Sequence, residues 1–285
     1  MTPRSAQARL RAAAVAALLV CSGLGVSGCT SGAAPAVPDA APSIMTPPVQ
    51  GRFDYQLGGA YPPASTVRIV DRDRTASPAA GTYTICYVNG FQTQESEADL
   101  WTERHPDLLV EDSAGEFVKD PDWPEYVLDI STPAKRSALL RIVGPWIDGC
   151  AAAGFRGLEI DNLDSYTRSA GRLTLHDAVE FATALVARAH ARGLAVGQKN
   201  TAELAATGRK RIGFDFAVTE ECQRYAECSA YTRVYGDHVI EIEYTDYSRS
   251  VFRAACAARG GRISVILRDR DVVTPASRAY RSETC

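Results

Sequence analysis

Gly154-Phe155-Arg156-Gly157-Leu158-Glu159-Ile160-Asp161-Asn162-Leu163-Asp164-Ser165-Tyr166 is an apolar, strand-like run that breaks off into acids and an amide. Three carboxylates within six residues, where a buried strand should emerge into a loop, are costly for packing alone, because a buried charge must be paired or give up its ionisation. The stretch reads as the floor of an active site. An acidic turn capping the following helix is the plainer alternative.

Outward from this run, short apolar or β-branched segments recur: Phe53 to Leu57, Val67 to Val70, Tyr83 to Val88, Tyr126 to Ile130, Leu194 to Gly197, Phe214 to Val218, Val239 to Ile242 and Ile263 to Leu267. With Phe155 to Ile160 this makes nine candidate strands, one more than a (β/α)8 barrel needs, and Tyr126 to Ile130 is the doubtful one. Helices fall between several of them. Thr132-Pro133 supplies an N-cap and a proline at the first helical position, Leu139, Leu140, Val143 and Ile147 share a face, and Gly154 ends the run. Thr174 and Asp177 form a capping box for a helix closed by Gly193, Thr201 opens a short one, and Ser248 caps another that stops at Gly260-Gly261. Strand alternating with helix predicts a parallel sheet, here a TIM-type barrel. Its first third should be irregular, because Gly58 to Thr66 and Asp71 to Thr82 are too short for full crossover helices.

Strand after strand ends in polar residues: Asn89; Asp161, Asn162 and Asp164; Lys199-Asn200; Glu220-Glu221; Glu243-Tyr244-Thr245-Asp246; and Arg268-Asp269-Arg270-Asp271. In a parallel barrel these ends share one face, so acids distant in sequence converge on a mouth. The four histidines form no metal-binding spacing, and neither a Gly-x-Ser-x-Gly elbow nor a glycine-rich phosphate loop is present. Paired carboxylates without a cofactor are the equipment of glycoside hydrolysis.

The ends place the domain. Arg4, Arg9 and Arg11 precede the apolar Ala12 to Val20 and then small residues, so residues 1–28 read as an export signal. Val26-Ser27-Gly28-Cys29 resembles a bacterial lipobox, which would make Cys29 a lipid attachment site; an ordinary signal with an incidental cysteine is the alternative. Residues 29–50, rich in Ala, Pro, Ser and Gly, read as a flexible tether, and 51–285 as one barrel domain. Removing the three signal arginines from 31 basic residues leaves 28 against 34 acids, a mature charge of −6. That balance argues against nucleic acid as a partner and suits a neutral or cationic substrate for a monomeric enzyme. Six cysteines remain after Cys21 and Cys29, an even number that fits disulfides in an exported chain. Cys222 and Cys228 are near enough to pair; Cys86 with Cys150 and Cys256 with Cys285 would complete the set, but spacing alone leaves the pairing of these four open. Zinc would need a Cys-x-x-Cys spacing that the chain lacks.

Leu158 to Tyr166, with its Asp161-Asn162-Leu163-Asp164, resembles the acidic signature of the endo-α-1,4-polygalactosaminidase family, glycoside hydrolase family 114. Gly193 to Asn200, Phe214 to Cys222, Glu241 to Tyr244, Phe53 to Leu57 and Ile85 to Tyr87 continue the likeness in order. The resemblance implies a barrel that cuts α-1,4-linked galactosamine polymers within the chain, with Asp161 and Glu220 as catalytic residues. By analogy with similar barrels, Asp161 is the nucleophile and Glu220 the acid/base, its pKa raised by neighbouring Glu221. Lys199 is expected to keep Asp161 ionised and, as a substrate-binding candidate, to orient a sugar hydroxyl, although a surface lysine would read the same. Asn162, Asp164, Asn200, Glu221, Glu243 and Tyr244 are substrate-binding candidates, against structural hydrogen bonding. Strand register is needed to choose between Glu220 and Glu221. Two departures stand near the mouth: Asn89 to Gln94 replaces a Gly-Ser-Trp-Glu-like segment, and the helix before the third strand shrinks to Thr75 to Thr82. The rival functions are a non-catalytic carbohydrate-binding lipoprotein and a carboxylate-bound Mg²⁺ or Ca²⁺ phosphodiesterase on the same barrel.

Overall fold

Eight of the nine apolar runs become parallel strands: β1 (Phe53–Tyr55), β2 (Ile69–Asp73), β3 (Tyr83–Asn89), β4 (Gly157–Asp161), β5 (Ala195–Lys199), β6 (Phe216–Glu220), β7 (Val239–Tyr244) and β8 (Ser264–Arg268). Each is hydrogen-bonded to the next in chain order. The coordinates are a computed structural model and describe residues 43–285. β8 returns beside β1, where Gly58 N donates to Val272 O at 3.2 Å and Ser264 Oγ to Gly51 O at 2.7 Å, so the sheet is a nearly closed TIM-like barrel. A short ninth strand, β9 (Ser282–Thr284), pairs antiparallel with β8 at the seam, and the Arg52 guanidinium donates to Thr284 Oγ1. Its three polar residues carry no strand signal, and it is absent from the sequence expectation.

The barrel encloses an apolar interior built by Phe53, Ile69, Ile85, Phe216, Ile240 and Ile266. A second, larger layer lies between the strands and α2 (Pro133–Ala153), α3 (Leu175–Ala191), α5 (Cys228–Tyr235) and α6 (Arg249–Arg259). The capping residues act as the sequence requires. Thr132 Oγ1 accepts from Lys135 N, Gly154 ends α2 at φ 97°, and Thr174 and Asp177 cap α3 reciprocally. The Thr201 helix is reduced to a short α4 (Ala205–Thr207) flanked by other helical turns.

No helix joins β1 to β2 or β2 to β3, which is the expected irregularity. Between β3 and α2 the chain makes α1 (Ala98–Arg104) and then a folded loop. Tyr126 to Ile130 lies in that loop as isolated bridges, Gln92 with Val127, Leu109 with Leu128 and Lys119 with Tyr126. Disulfides join Cys222 to Cys228, the expected pair, and Cys86 to Cys150 and Cys256 to Cys285, which resolve the four cysteines whose pairing the sequence leaves open. The expected signal peptide, Cys29 and most of the expected tether lie outside the described residues. The last residues of the stretch expected to be a tether touch the end of the barrel where strands begin: Pro47 is buried, and the Tyr83 hydroxyl donates to Met45 O at 2.6 Å. No described helix is long and apolar enough to cross a membrane.

Candidate active site

Alternation along the strands decides which side chains reach the barrel interior. On β4, Leu158 and Ile160 pack outward with the helices, so Glu159 and Asp161 point in. On β5, Val196 packs outward while Ala195 and Lys199 point in. On β6, Phe216 and Val218 fill the interior, so Glu220 follows them inward. Asp161, Lys199 and Glu220 thus meet at the mouth, each as the last residue of its strand.

The buried Lys199 ammonium organises the cluster. Its Nζ lies 2.7 Å from Glu159 Oε1, 3.0 Å from Asp161 Oδ1 and 3.7 Å from Glu220 Oε1. Burial favours loss of its proton, but the charges of Asp161, Glu159 and Glu220 outweigh burial and hold its pKa well above the usual value. Lys199 is therefore no surface lysine. Asp161 also accepts from the Tyr87 hydroxyl at 2.7 Å and from Asn162 N at 2.8 Å. Burial pushes this carboxyl up; Lys199 and these two donors override burial and hold it below the ordinary carboxylate range.

Glu220 is held from both sides. The Tyr244 hydroxyl donates to Oε1, and Asn200 Nδ2 donates to Oε2 at 3.1 Å. Asn200 Oδ1 accepts in turn from Glu220 N at 2.8 Å, which fixes the amide's orientation. Burial first, and neighbouring carboxylates next, push the hydroxyls of Tyr55, Tyr87 and Tyr244 well above their ordinary value. All three remain protonated donors.

A second tier lies deeper. Glu159 accepts from Lys199 and from the Tyr55 hydroxyl at 3.0 Å, while both oxygens of the fully buried Asp71 and Oε2 of Glu159 find no conventional donor among the described residues. Burial, then the charge of Glu159 and a hydrogen bond to it, push Asp71 well above the usual range. A neutral Asp71 that donates to Glu159 supplies the missing proton.

The residues just past these strands turn sharply. Asn162 (φ 63°), Asn200 (φ 44°), Thr201 (φ 61°) and Glu221 (φ 59°) are all left-handed without being glycine. Each costs about 1 kcal/mol or more, and three consecutive strands carry such a residue at the same place, next to the groups that face the cavity. At Glu221 the turn swings the carboxylate to Arg224 at 2.9 Å and Arg270 at 3.0 Å. Already paired with two guanidiniums, it is not the like charge on Glu220 that the sequence suggested.

A cavity of about 500 Å³ is lined by Tyr55, Tyr87, Asp161, Asn162, Asp164, Lys199, Asn200, Glu220, Glu221 and Tyr244, and by Trp123, Glu125, Arg168 and Arg270. Eight of the nine candidate residues are therefore brought together, several already engaged: Asp164 holds Arg168 at 2.9 Å, and Asn162 Nδ2 donates to Asn89 Oδ1 at 3.1 Å. Glu243 is the exception and a correction. Ile242 and Tyr244 point into the barrel, so Glu243 points out, accepting from Gln223 N at 3.0 Å; burial pushes its carboxyl up to about 7. Beside it, Cys222, Cys228 and Glu241 form the described grouping closest to a metal-ligand set, but the two sulfurs are bonded to each other and Arg259 pairs with Glu241. A hollow of about 600 Å³ near Pro106 and Arg172 carries none of the mouth residues.

Glu125 and Trp123 are absent from the sequence expectation. Glu125 Oε2 accepts from Asn89 Nδ2 at 2.9 Å and Asn162 Nδ2 at 3.2 Å, and Trp123 is 47% exposed on the cavity wall.

Fold and site define a TIM-like barrel with a carboxylate-rich mouth, the architecture of many sugar-cleaving enzymes. A model of glycoside-hydrolase family GH114 matches residues 34–285, and the chain belongs to that family. Among solved structures it is similar to Aspergillus fumigatus Ega3 in complex with galactosamine, with 22% identity, TM-score 0.68, and coverage of 87% of this chain and 100% of that one. It is also similar to the glycoside hydrolase domain of PelA from Pseudomonas aeruginosa, at 16% identity and TM-score 0.54, over 79% of this chain and 96% of that one. A search of curated proteins returns no match.

Proposed function

We propose that this chain is an exported glycosidase that cuts α-1,4-linked galactosamine polymers within the chain, with Asp161 as nucleophile and Glu220 as acid/base. The observation that carries the proposal is the sharing of one buried ammonium: Lys199 Nζ is 3.0 Å from Asp161 and 3.7 Å from Glu220. The two oxygens concerned are therefore no more than about 7 Å apart, which accommodates the roughly 5–5.5 Å of retaining enzymes and leaves little of the roughly 6.5–9.5 Å range of inverting ones.

The carboxylate kept ionised by Lys199, Tyr87 and Asn162 N attacks the anomeric carbon. Glu220 gives its proton to the departing glycosidic oxygen. A covalent glycosyl-Asp161 ester results, and Glu220, now ionised, takes a proton from the water that cleaves it. Tyr244 and Asn200 keep Glu220 aimed through both steps. These steps need the two carboxyl groups and water, and no cofactor.

The sugar is argued from the family, from the galactosamine held by Ega3, and from a mature charge of −6 that favours an ammonium-bearing polymer. Three disulfides fit an oxidising, extracellular setting, and the lipobox-like segment makes Cys29 the proposed membrane anchor. The test incubates the purified domain with α-linked amino-sugar polymers and follows product anomers by NMR. Retained α-configuration is expected, with losses of about 10²-fold or more in both Asp161→Asn and Glu220→Gln. Near-normal turnover in Asp161→Asn would sink the assignment.

A further inference from the structure

The loop from Asp120 to Glu125 is held rigidly against the mouth. Asp120 Oδ1 accepts from Asp122 N at 2.9 Å and Trp123 N at 3.2 Å, Asp120 N donates to Glu125 O at 2.8 Å, and Tyr126 N donates to Thr93 Oγ1 at 3.0 Å. Arg168 Nε, 2.6 Å from Asp120 Oδ2, ties the loop to the turn after β4. Glu125 is thus set beside Asp161, with its Oε2 fixed by the amides of Asn89 and Asn162.

What distinguishes Glu125 is the kind of partner it has. The other buried or half-buried carboxylates beside it are matched with cations: Asp161 and Glu220 with Lys199, Asp120 and Asp164 with Arg168. Glu125 is half-buried, lines the same cavity, and touches only neutral amides, both on one oxygen. Its Oε1 accepts no hydrogen bond among the described residues and is not an enclosed orphan, so it opens on the cavity. A desolvated carboxylate without a cation is costly, and a cation arriving with a ligand removes that cost.

We propose that Glu125 is a specificity residue, whose Oε1 accepts the ammonium of the 2-amino sugar bound against Asp161. For the identity of the sugar, this rests on the glycosidase reading above. Trp123, exposed on the same rigid loop, offers an aromatic face against which that sugar can stack. Burial, with the charges of Asp161 and Asp120, pushes the Glu125 carboxyl up to about 7 against the two amides, so an ammonium arriving at pH 6 displaces a proton.

The test is binding, and it is independent of turnover. Methyl α-galactosaminide and methyl α-galactoside, which differ in carrying an ammonium or a hydroxyl at one carbon, are titrated into the whole mature domain by NMR and calorimetry. Wild type is expected to prefer the amine by about 10–100-fold, the range of a charge-assisted hydrogen bond, and Glu125→Gln to abolish the preference. The glutamine keeps an acceptor for Asn89 and Asn162, so its melting temperature should match wild type, and Glu125→Asp should recover part of the preference. Independently of any variant, calorimetry at pH 6 in buffers of different ionisation enthalpy should report proton release on binding the amine and none with the neutral sugar. An unchanged preference in Glu125→Gln, equal losses for both sugars, or no discrimination by wild type would each overturn the assignment. An intact amine preference with no polymer cleavage would refute the hydrolase reading and leave the role of Glu125 standing.

Discussion

Replacing Lys199 with methionine keeps most of the buried stem and deletes one charge from a place where three carboxylates depend on it. Removing one member of a buried ion pair costs about 3–5 kcal/mol, because the partner stays buried and unpaired. Asp161, 19% exposed, regains some hydration, so about 3 kcal/mol at pH 8 is expected. For a domain of this size that lowers the melting temperature by roughly 6–12 °C. The pH dependence separates charge from packing. In wild type the Asp161 carboxyl is held below its unfolded pKa, so its contribution is present above about pH 4 and is lost as pH falls further. Without Lys199, burial pushes that carboxyl up, and the folded variant binds a proton that its unfolded chain releases. Stability of the variant then declines as pH rises through the new pKa, and its deficit against wild type shrinks on going from pH 8 to pH 5. The lysine's own linkage lies above its unfolded pKa of about 10.4 and does not enter that window. The acid limb of kcat/KM should move to higher pH, because the nucleophile now ionises later. Calorimetric melts at pH 5, 6, 7 and 8, with the pH–rate profile, decide the matter. A deficit constant with pH, together with an unmoved acid limb, would mean that Lys199 only fills space.

Asp71→Asn should cost less than about 1.5 kcal/mol in urea unfolding, since an amide donates to Glu159 as a protonated acid does, whereas Asp71→Leu removes that donor and should cost about 3 kcal/mol. The Cys86–Cys150 disulfide closes a separation of 64 residues and the Cys222–Cys228 disulfide one of 6, so chain entropy assigns the first about 4 kcal/mol and the second about 2. Denaturant midpoints of the two double-alanine variants should fall in that order. Cys29→Ser in the full chain should shift the protein from the membrane pellet to the soluble exported fraction and abolish labelling by a fatty-acid probe.

The barrel was legible because its strands are apolar runs that break into polar residues at one end, and the parallel order places all of those ends together. The convergence of acids on one mouth was legible for the same reason, but Asp161 and Glu220 were singled out by the family resemblance, and choosing Glu220 over Glu221 needed the register, in which Phe216 and Val218 point inward. Glu243 shows where such reading stops. It ends a strand as plausibly as Glu220 does, but one step of alternation sends it to the helices. Tyr87 and Tyr55 sit in runs that read as core, and only a hydroxyl reaching Asp161 or Glu159 marks them as part of the site. Asp71 left a trace, an acid within the buried run Ile69-Val70-Asp71. Nothing in the pattern marks Glu125. It lies 37 residues before Asn162, in a loop whose path is set by isolated bridges and by the anchoring of Asp120.

A charge of −6 over residues 29–285 has little meaning when spread over a whole surface, but its distribution here is uneven. The cavity is lined by Asp120, Asp122, Glu125, Asp161, Asp164, Glu220, Glu221 and Asp271 against Arg168, Lys199 and Arg270. Each of the three bases is shared between carboxylates, Arg168 by Asp120 and Asp164, Arg270 by Glu221 and Asp246, and Lys199 by Glu159, Asp161 and Glu220. An acid in such a surplus must be exposed, protonated or matched from outside. Asp71 takes the second course inside the barrel, and Asp122 and Asp271, both exposed, take the first. Glu125 is too buried for the first and, with its carboxyl near 7, is only half committed to the second at neutral pH. The course that remains to it is a cation brought by the ligand. On the proposed reading, the surplus that makes the mouth costly in the free protein is what draws an amino-sugar polymer to it, and the carboxyl beside the nucleophile is the place where polymer charge and protein charge meet.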